Sequence, residues 1–275
     1  MSDVETRVRA SNGRWFRIER SGVAAARNFG VRQAKAKWIA FLDSDDLWYP
    51  AKLERQMEFH TRFPLLEASQ TEEVWLRKMR RVNQRKYHRK PDGDVFLPSL
   101  DRCLISPSSV LLKKRLFEGL GGFDECMTVC EDYDFWLRLS ISNRVGLLSE
   151  PLIEKRGGHE DQLSHAVPAM DRFRVYSLLK LLFGEEITHE MRHAVAAVLR
   201  KKASILALGA KKRADTSALQ LYLHLIELVD DGFTTSSSEI FVQLRQMLMQ
   251  EHRYFLASGK TALSFGLADN RFGSV

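Results

Sequence analysis

Three carboxylates stand close together in the chain, at Asp43, Asp45 and Asp46. Neighbouring carboxylates repel one another unless a cation lies among them, and hard oxygen ligands favour Mg²⁺, Mn²⁺ or Ca²⁺. Without a cation, the same residues would form a solvated acidic turn that caps the following helix. An EF-hand loop is excluded because Trp48, not glycine, occupies its sixth position. The cluster therefore indicates either a divalent-cation site or a helix cap.

A second acidic group, formed by Glu131, Asp132 and Asp134, opens a segment with helical periodicity. A helix N-terminus stabilises carboxylates through its dipole and free N–H groups, so the group is a natural cap. Carboxylates are also general bases that remove a proton from a hydroxyl. Two single residues can also be interpreted either structurally or functionally. His159 is either a surface residue or a ligand of metal or phosphate, and Arg27 is either solvated or a contact for a diphosphate.

The elements around the first acidic cluster predict an α/β fold. Gly22–Lys37 is rich in alanine and favours a helix, and the apolar run Trp38–Leu42 is typical of a strand buried on both faces. Ala51–Arg62 then predicts a helix with Leu53, Met57 and His60 on one side. Ligands of open α/β sheets bind beyond the carboxyl ends of the strands, so the acidic cluster lies where a site is expected.

The rest of the chain is predicted to complete this core and then to become helical. The core is expected to add helices over Glu72–Val82, Arg115–Leu120 and Glu131–Ser140, an extended segment over Cys103–Leu112 and a strand over Val145–Leu148. Beyond Pro168 the apolar residues recur at helical spacing, as at Met191, Val195, Val198 and Leu199. We therefore expect an α/β core over residues 15–167, a helical region over 168–258 and a disordered tail over 259–275.

The overall composition limits the possible functions. The chain has 275 residues, of which 44% are hydrophobic and 28% charged, as in an ordinary globular protein, and no apolar run could cross a membrane. The net charge of +7, with basic residues concentrated between Arg77 and Lys90, suits an anionic membrane surface or a phosphorylated molecule. Nucleic acid is not an expected partner because no nucleic-acid-binding motif is present. Three cysteines and no export signal predict a cytoplasmic protein.

Two long motifs stand in a defined order along the chain. The first comprises Gly22–Gly30 and Trp38–Trp48, and the second comprises Gly121–Glu125 and Glu131–Leu139. Together they resemble the family-two glycosyltransferases of the GT-A fold over roughly residues 15–165. The resemblance implies a partial GT-A, Rossmann-like mixed sheet with helices, followed by the all-helical C-terminal region. It also implies a hexosyltransferase of polysaccharide biosynthesis that moves a sugar, with inversion, from a nucleotide diphosphate to a hydroxyl.

The resemblance also assigns roles to individual residues. The implied metal ligands are Asp45 and His159, the donor contacts are Arg27, Asp43 and Asp46, and the catalytic residues are Glu131 and Asp132. Asp132 would deprotonate the acceptor hydroxyl, and Mg²⁺ or Mn²⁺ would bridge the two phosphates. The implied donor is a UDP- or GDP-linked sugar. The implied acceptor is a glycan or a lipid-linked molecule, with peripheral contact at the inner face of the membrane as one option.

One part of the family pattern is missing from the sequence. Family members usually begin with two further strands that build much of the nucleotide pocket, and nothing before Arg17 resembles them. We therefore expect a catalytic core that is truncated at its N-terminus. Two interpretations follow: a metal-assisted glycosyltransferase, or a catalytically inactive remnant that acts as a binding protein.

Overall fold

The computed structural model describes residues 3–10, 13–158, 167, 169–184, 187–232 and 237–258. The predicted tail over 259–275 lies outside these residues. Elements are numbered in chain order: α1 (Asp3–Ala10), α2 (Gly22–Gln33), β1 (Trp38–Ala40), β2 (Leu47–Trp48), α3 (Lys52–Arg62), β3 (Ala68–Arg77), β4 (Arg80–Val82), α4 (Phe96–Ser99), β5 (Leu111–Lys113), α5 (Lys114–Gly119), α6 (Glu131–Ser140), β6 (Val145–Gly157), α7 (Asp171–Gly184), α8 (His189–Lys212), α9 (Thr216–Asp230) and α10 (Ser237–Ser258). Short 3₁₀ turns occupy Lys86–His88 and Pro107–Ser109.

The described strands form one mixed sheet, in the order β1-β5-β3-β6-β2, with β4 paired to β3. Strands β3 and β6 run parallel along the whole of β3, and the other paired strands are antiparallel. In the pairing of β2 with β6, Leu47 lies opposite Glu154. The acidic loop that precedes β2 therefore lies beside the carboxyl end of β6, which is where the candidate site forms.

The predicted helix over Glu72–Val82 is wrong, because these residues belong to the hairpin of β3 and β4. Several polar side chains of this region are buried and paired, although residues 77–82 are exposed. Glu73 and Lys90 form an ion pair at 2.5 Å with side chains 2% and 3% exposed, and Gln70 donates to the carbonyl oxygen of Pro91 at 2.8 Å. Burial of polar groups costs little when each one is hydrogen-bonded, so tertiary contacts override the local pattern.

The strand predicted over Val145–Leu148 continues through Pro151 to Gly157. Proline lacks an N–H group and normally ends a central strand. Here the register of β6 against β3 shifts on both sides of Glu72, so that Pro151 lies at an irregularity in the ladder. The strand therefore passes the proline and brings its last residues to the site.

Helix α3 confirms the element predicted over Ala51–Arg62, but only part of the predicted side is buried. His60 is buried, together with Lys52 and Gln56, whereas Leu53 and Met57 are 42% and 40% exposed. The amide of Gln56 donates to Ser69 Oγ at 3.1 Å, and His60 Nε2 lies 2.9 Å from the same oxygen. The polar side of α3 thus packs against the polar side chains of β3.

Helix α6 connects the two hydrophobic cores of the molecule. Its Phe135 and Trp136 pack in the core beneath the sheet, and its Tyr133 and Leu137 pack in the core formed with the C-terminal helices. The predicted bounds of this helix are confirmed, as is the helical C-terminal region. Each large apolar side chain buried in this way contributes about 1.5–3 kcal/mol. The N-terminus of α6 is therefore held rigidly from both sides.

None of the described helices is long and apolar enough to cross a lipid bilayer.

Candidate active site

The two acidic clusters line a single cavity of about 840 Å³. It lies between the loop after β1, the N-terminus of α6 and the end of β6. Of the residues predicted for the site, the cavity is lined by Arg27, Asp43, Asp45, Asp46, Glu131 and Asp132. His159 lies outside the described residues. Segments almost 90 residues apart in the sequence thus meet at one site, which we call the active-site cavity.

Arg27 links the two acidic clusters. Its guanidinium donates to Asp43 Oδ1 at 2.5 Å and to Glu131 Oε1 at 2.6 Å, and its side chain is only 13% exposed. Burial alone would lower the pKa of Arg27, but the charges of Asp43 and Glu131 outweigh it and raise the pKa. Charge-assisted bonds of this kind are short and strong. Arg27 therefore holds a permanent positive charge on the cavity wall.

The first acidic loop is anchored at both ends. The backbone N–H of Asp43 donates to Ser108 Oγ at 3.1 Å, and Asp46 Oδ1 accepts from the backbone N–H of Arg156 at 3.1 Å. Burial raises the pKa of Asp46, because it penalises the charged carboxylate. Asp45 lies between these anchors and is partly exposed to the cavity.

The second acidic cluster begins helix α6 after a strained residue. Cys130 has φ of +63°, a left-handed conformation that costs a non-glycine residue about 1 kcal/mol or more. Asp132 Oδ1 accepts from the backbone N–H of Tyr133 at 2.7 Å, and Asp132 Oδ2 accepts from the thiol of Cys103 at 3.5 Å. Burial, followed by the neighbouring charge of Asp132, raises the pKa of Glu131 to about 7, and Arg27 opposes this shift. Burial and mutual repulsion therefore disfavour negative charge on this cluster, and the positive charge of Arg27 compensates that cost.

Lys155 and Cys103 are among the residues of the cavity wall that were not predicted from the sequence. Lys155, near the end of β6, lines the cavity, and its Nζ donates to Ser106 Oγ at 3.3 Å. Burial lowers the pKa of Lys155, but the charges of Glu73 and Asp46 outweigh it and raise the pKa. Cys103 also lines the cavity, and burial raises its pKa well above the ordinary value, so its thiol stays protonated. No local pattern marks either residue, because each reaches the cavity only through contacts between segments that are distant in the sequence.

Asn28 ties the helix that carries Arg27 to the glycine-rich motif before α6. Its side-chain oxygen accepts from the backbone N–H of Phe123 at 3.0 Å, and its amide donates to the Phe123 carbonyl oxygen at 2.9 Å. Gly122 has φ of +72°, and a Cβ there would approach Asn28 Oδ1 to 2.8 Å. Asn28 is thus a structural residue that docks the two motifs together.

Comparison with known proteins supports a family-2 glycosyltransferase. The family model described as Glycosyl transferase family 2 matches residues 11–104. An uncharacterized glycosyltransferase of Rickettsia typhi is 25% identical over 245 residues, which cover 84% of this chain and 74% of the relative. A second one, from Rickettsia prowazekii, is 26% identical over 83% of this chain and 73% of its own length. The family match thus covers about a third of the chain, and the relatives that match most of its length are glycosyltransferases.

A solved structure shows the same fold. Residues 1–349 of Staphylococcus aureus TarS, crystallised in complex with UDP-GlcNAc, match this chain with a TM-score of 0.64 at 17% identity. The match covers 92% of this chain and 78% of the TarS chain. The predicted GT-A-type α/β fold with a helical C-terminal region is therefore confirmed. The family match and the glycosyltransferase relatives favour the enzyme over the binding protein: the chain is a nucleotide-sugar-dependent glycosyltransferase.

The carboxylates of the cavity can be compared with the ligands that a divalent cation requires. Within the described ranges, no three His, Cys, Asp or Glu side chains come together as a ready-made metal site. Mg²⁺, however, is usually held by one or two carboxylates together with substrate phosphates rather than by a cage of protein ligands. Asp45 and Asp43 on the cavity wall fit that pattern, although Asp43 already binds Arg27. The residues therefore suit a cation that arrives with a diphosphate.

Proposed function

We propose that the chain transfers a sugar from a UDP- or GDP-linked donor to a hydroxyl of a glycan or lipid-linked acceptor, with inversion and with the help of a divalent cation. The observation that carries the proposal is the single cavity in which Asp43, Asp45 and Asp46 face Glu131 and Asp132. The first cluster, with Asp45 as a cation ligand, suits the charged leaving group. The second cluster, with Asp132, suits the attacking hydroxyl. The complex of TarS with UDP-GlcNAc supports a nucleotide-sugar donor of this kind.

The chemistry requires a base on the acceptor side, and we assign that role to Asp132. In a single displacement, the acceptor oxygen bonds to the anomeric carbon while the bond from that carbon to the diphosphate oxygen breaks. The hydroxyl proton passes to Asp132, and the configuration at carbon inverts. Glu131 is less suited to the role because Arg27 already binds it at 2.6 Å. A well-placed general base accelerates such reactions by about 10²–10⁴-fold.

The departing diphosphate gains negative charge, and the cavity offers positive charge to meet it. Arg27 and Lys155 are protonated side chains on the cavity wall, and both are partly withdrawn from water, where electrostatic interactions are stronger. We assign Asp45, with Asp43, as the protein ligands of Mg²⁺ or Mn²⁺. When bound, the cation would neutralise charge on the diphosphate.

We also propose a cytoplasmic location, with peripheral contact at the inner face of the membrane when the acceptor is lipid-linked. The three cysteines are free thiols, as expected in a reducing compartment.

The proposal is tested by calorimetric titration of UDP and GDP into the chain with and without MnCl₂. One nucleotide should bind in a Mn²⁺-dependent manner, and Asp45→Asn should weaken this binding at least tenfold. Asp230→Asn is the matched control, because Asp230 is an exposed partner of Arg200 and does not line the cavity. Equal binding by Asp45→Asn and the control would exclude Asp45 as a metal ligand. The absence of nucleotide binding by the unmodified chain would overturn the donor assignment.

A further inference from the structure

A second cavity, of about 460 Å³, adjoins the active-site cavity. It is formed by the segment after α4 and by helices α7 and α8, so the C-terminal helical region supplies much of its wall. Cys103 and Arg174 line both cavities. Since Cys103 Sγ lies 3.5 Å from Asp132 Oδ2, the second cavity begins next to the proposed base. We call it the basic cavity.

The wall of the basic cavity has an excess of positive charge. Its charged side chains are the cations Arg102, Arg174, Lys201 and Lys202 and the carboxylates Asp101 and Asp171, which together give a net charge of +2. The carboxylates hold the cations in place. Asp101 Oδ1 accepts from Lys201 at 2.8 Å, and Asp171 Oδ1 accepts from Arg174 at 2.8 Å and from Lys202 at 3.1 Å.

Both carboxylates remain charged at neutral pH. The hydrogen bond from Lys201 lowers the pKa of Asp101. Burial works to raise the pKa of Asp171, but the hydrogen bond from Arg174 and the charge of Lys202 outweigh it and lower the pKa. The two carboxylates therefore offset two of the four cations, and an anion would compensate the remaining charge of +2.

Two buried nitrogen atoms of the basic cavity have unused hydrogen-bonding capacity. In the part of the chain that the structure describes, neither His88 Nδ1 nor Arg174 Nε has a hydrogen-bond partner. Buried polar nitrogens without partners are uncommon and usually indicate a missing water, ion or ligand. Burial and the charge of Arg102 lower the pKa of His88, so its ring is neutral and has one N–H to donate. An oxyanion bound in the cavity would compensate the charge excess beside these two unpaired nitrogens.

We propose that the basic cavity binds a phosphate group of the acceptor while the acceptor hydroxyl lies at Asp132. This inference rests on the proposed function and deepens it, because it assigns a chemical class to the acceptor. A molecule whose hydroxyl reaches Asp132 can extend past Cys103 into the basic cavity, where Arg102 and Lys201 are exposed enough to meet a phosphate. The phosphate belongs either to a soluble phosphorylated polyol or sugar or to a lipid head group.

The test titrates the full chain with glycerol 1-phosphate, and with glycerol as the uncharged control, and follows backbone amide shifts by NMR. Dihexanoylphosphatidylglycerol below its micellar concentration is titrated separately to represent the lipid source. We expect at least one of the two phosphates to bind and glycerol not to bind. The double variant Arg102→Gln/Lys201→Gln should weaken the binding at least tenfold.

The control variant Arg200→Gln/Lys212→Gln removes the same charge from exposed positions on α8 that do not line the cavity, and should change the affinity less than twofold. Absence of binding by both phosphates, or equal losses in the two double variants, would overturn the inference. UDP and GDP are titrated with Mn²⁺ into separate samples of the same proteins by calorimetry, to separate the two proposals. If either nucleotide binds and neither phosphate does, only the acceptor assignment fails, whereas absence of binding by both nucleotides to the unmodified chain contradicts the proposed function itself.

Discussion

Replacement of Arg27 by methionine tests whether this one side chain compensates the charge of the two acidic clusters. Methionine keeps much of the side-chain volume and removes the bonds to Asp43 and Glu131. Asp43 is 28% exposed and can be hydrated in the variant, whereas the side chain of Glu131 is only 8% exposed. The main consequence should therefore fall on Glu131.

The pH dependence of the loss follows from the raised pKa of Glu131. A carboxyl group whose pKa is higher in the folded than in the unfolded chain favours folding most below the unfolded value, about 4.3, and loses that advantage as the pH rises through the folded value. In the unmodified chain this loss ends near the folded pKa of about 7. Without Arg27 the folded pKa rises further, and the loss continues above pH 7.

The expected magnitudes differ between pH 6 and pH 9. At pH 6 Glu131 is mostly protonated in both proteins, so Arg27→Met should cost about 1–2 kcal/mol for lost hydrogen bonds. Each pH unit above 7 then adds up to about 1.4 kcal/mol, which makes the loss at pH 9 about 4 kcal/mol. A Coulomb estimate is consistent with this: two charges about 4 Å apart interact by about 4 kcal/mol at an effective dielectric constant of 20.

Urea denaturation followed by circular dichroism at pH 6 and pH 9 measures both values. Arg32→Met is the control on the same helix, because Arg32 is 60% exposed and lies 3.8 Å from Glu125, and it should cost less than about 0.5 kcal/mol at either pH. Adding Glu131→Gln to Arg27→Met should remove the extra loss at pH 9. An equal loss at the two pH values, or a pH-dependent loss that survives in the double variant, would refute the reasoning.

Two further predictions concern the base and the docking of the motifs. Asp132→Asn should lower kcat by about 10²–10⁴-fold, because the amide cannot accept the hydroxyl proton, and should leave the affinity for UDP or GDP within twofold. Steady-state kinetics measures kcat, and calorimetry measures the affinity. A kcat within threefold of the unmodified enzyme would contradict the prediction. Asn28→Ala should lower the free energy of unfolding by about 2–3 kcal/mol, since it leaves the buried backbone groups of Phe123 unpaired. A loss below about 0.5 kcal/mol in urea denaturation would show that Asn28 does not hold the glycine-rich motif in place.

Helix α6 explains why the site and the C-terminal helical region belong to one working unit. Its first turn carries Glu131 and Asp132, and its later residues pack in both hydrophobic cores. The glycine-rich motif is joined to the helical region by Lys180, whose Nζ lies 2.8 Å from Asp124 and 2.9 Å from Asp134. The helical region thus fixes the position of the proposed base and also supplies cations to the basic cavity.

Several features of this protein could be predicted from the sequence because they depend on neighbouring residues. The alanine-rich α2, the helix over Glu131–Ser140 and the C-terminal helices each carry their own periodicity. The two acidic clusters each end or begin an element, so their approximate place at a sheet edge and a helix N-terminus also followed from local patterns. Their residues meet in one cavity, and the roles assigned to them remain proposals.

Other features depended on contacts between distant segments, which no local pattern encodes. The polar residues of β3 suggested a helix because their partners, such as Lys90 for Glu73, lie elsewhere in the sequence. Lys155 reaches the active-site cavity only because β6 pairs with both β2 and β3. The sequence by itself therefore determined most of the helices and the positions of the acidic clusters. Only the tertiary structure decided which cationic side chains lie next to these carboxylates. The reason is that burial and contacts between distant segments determine how strongly a charged side chain interacts with its neighbours.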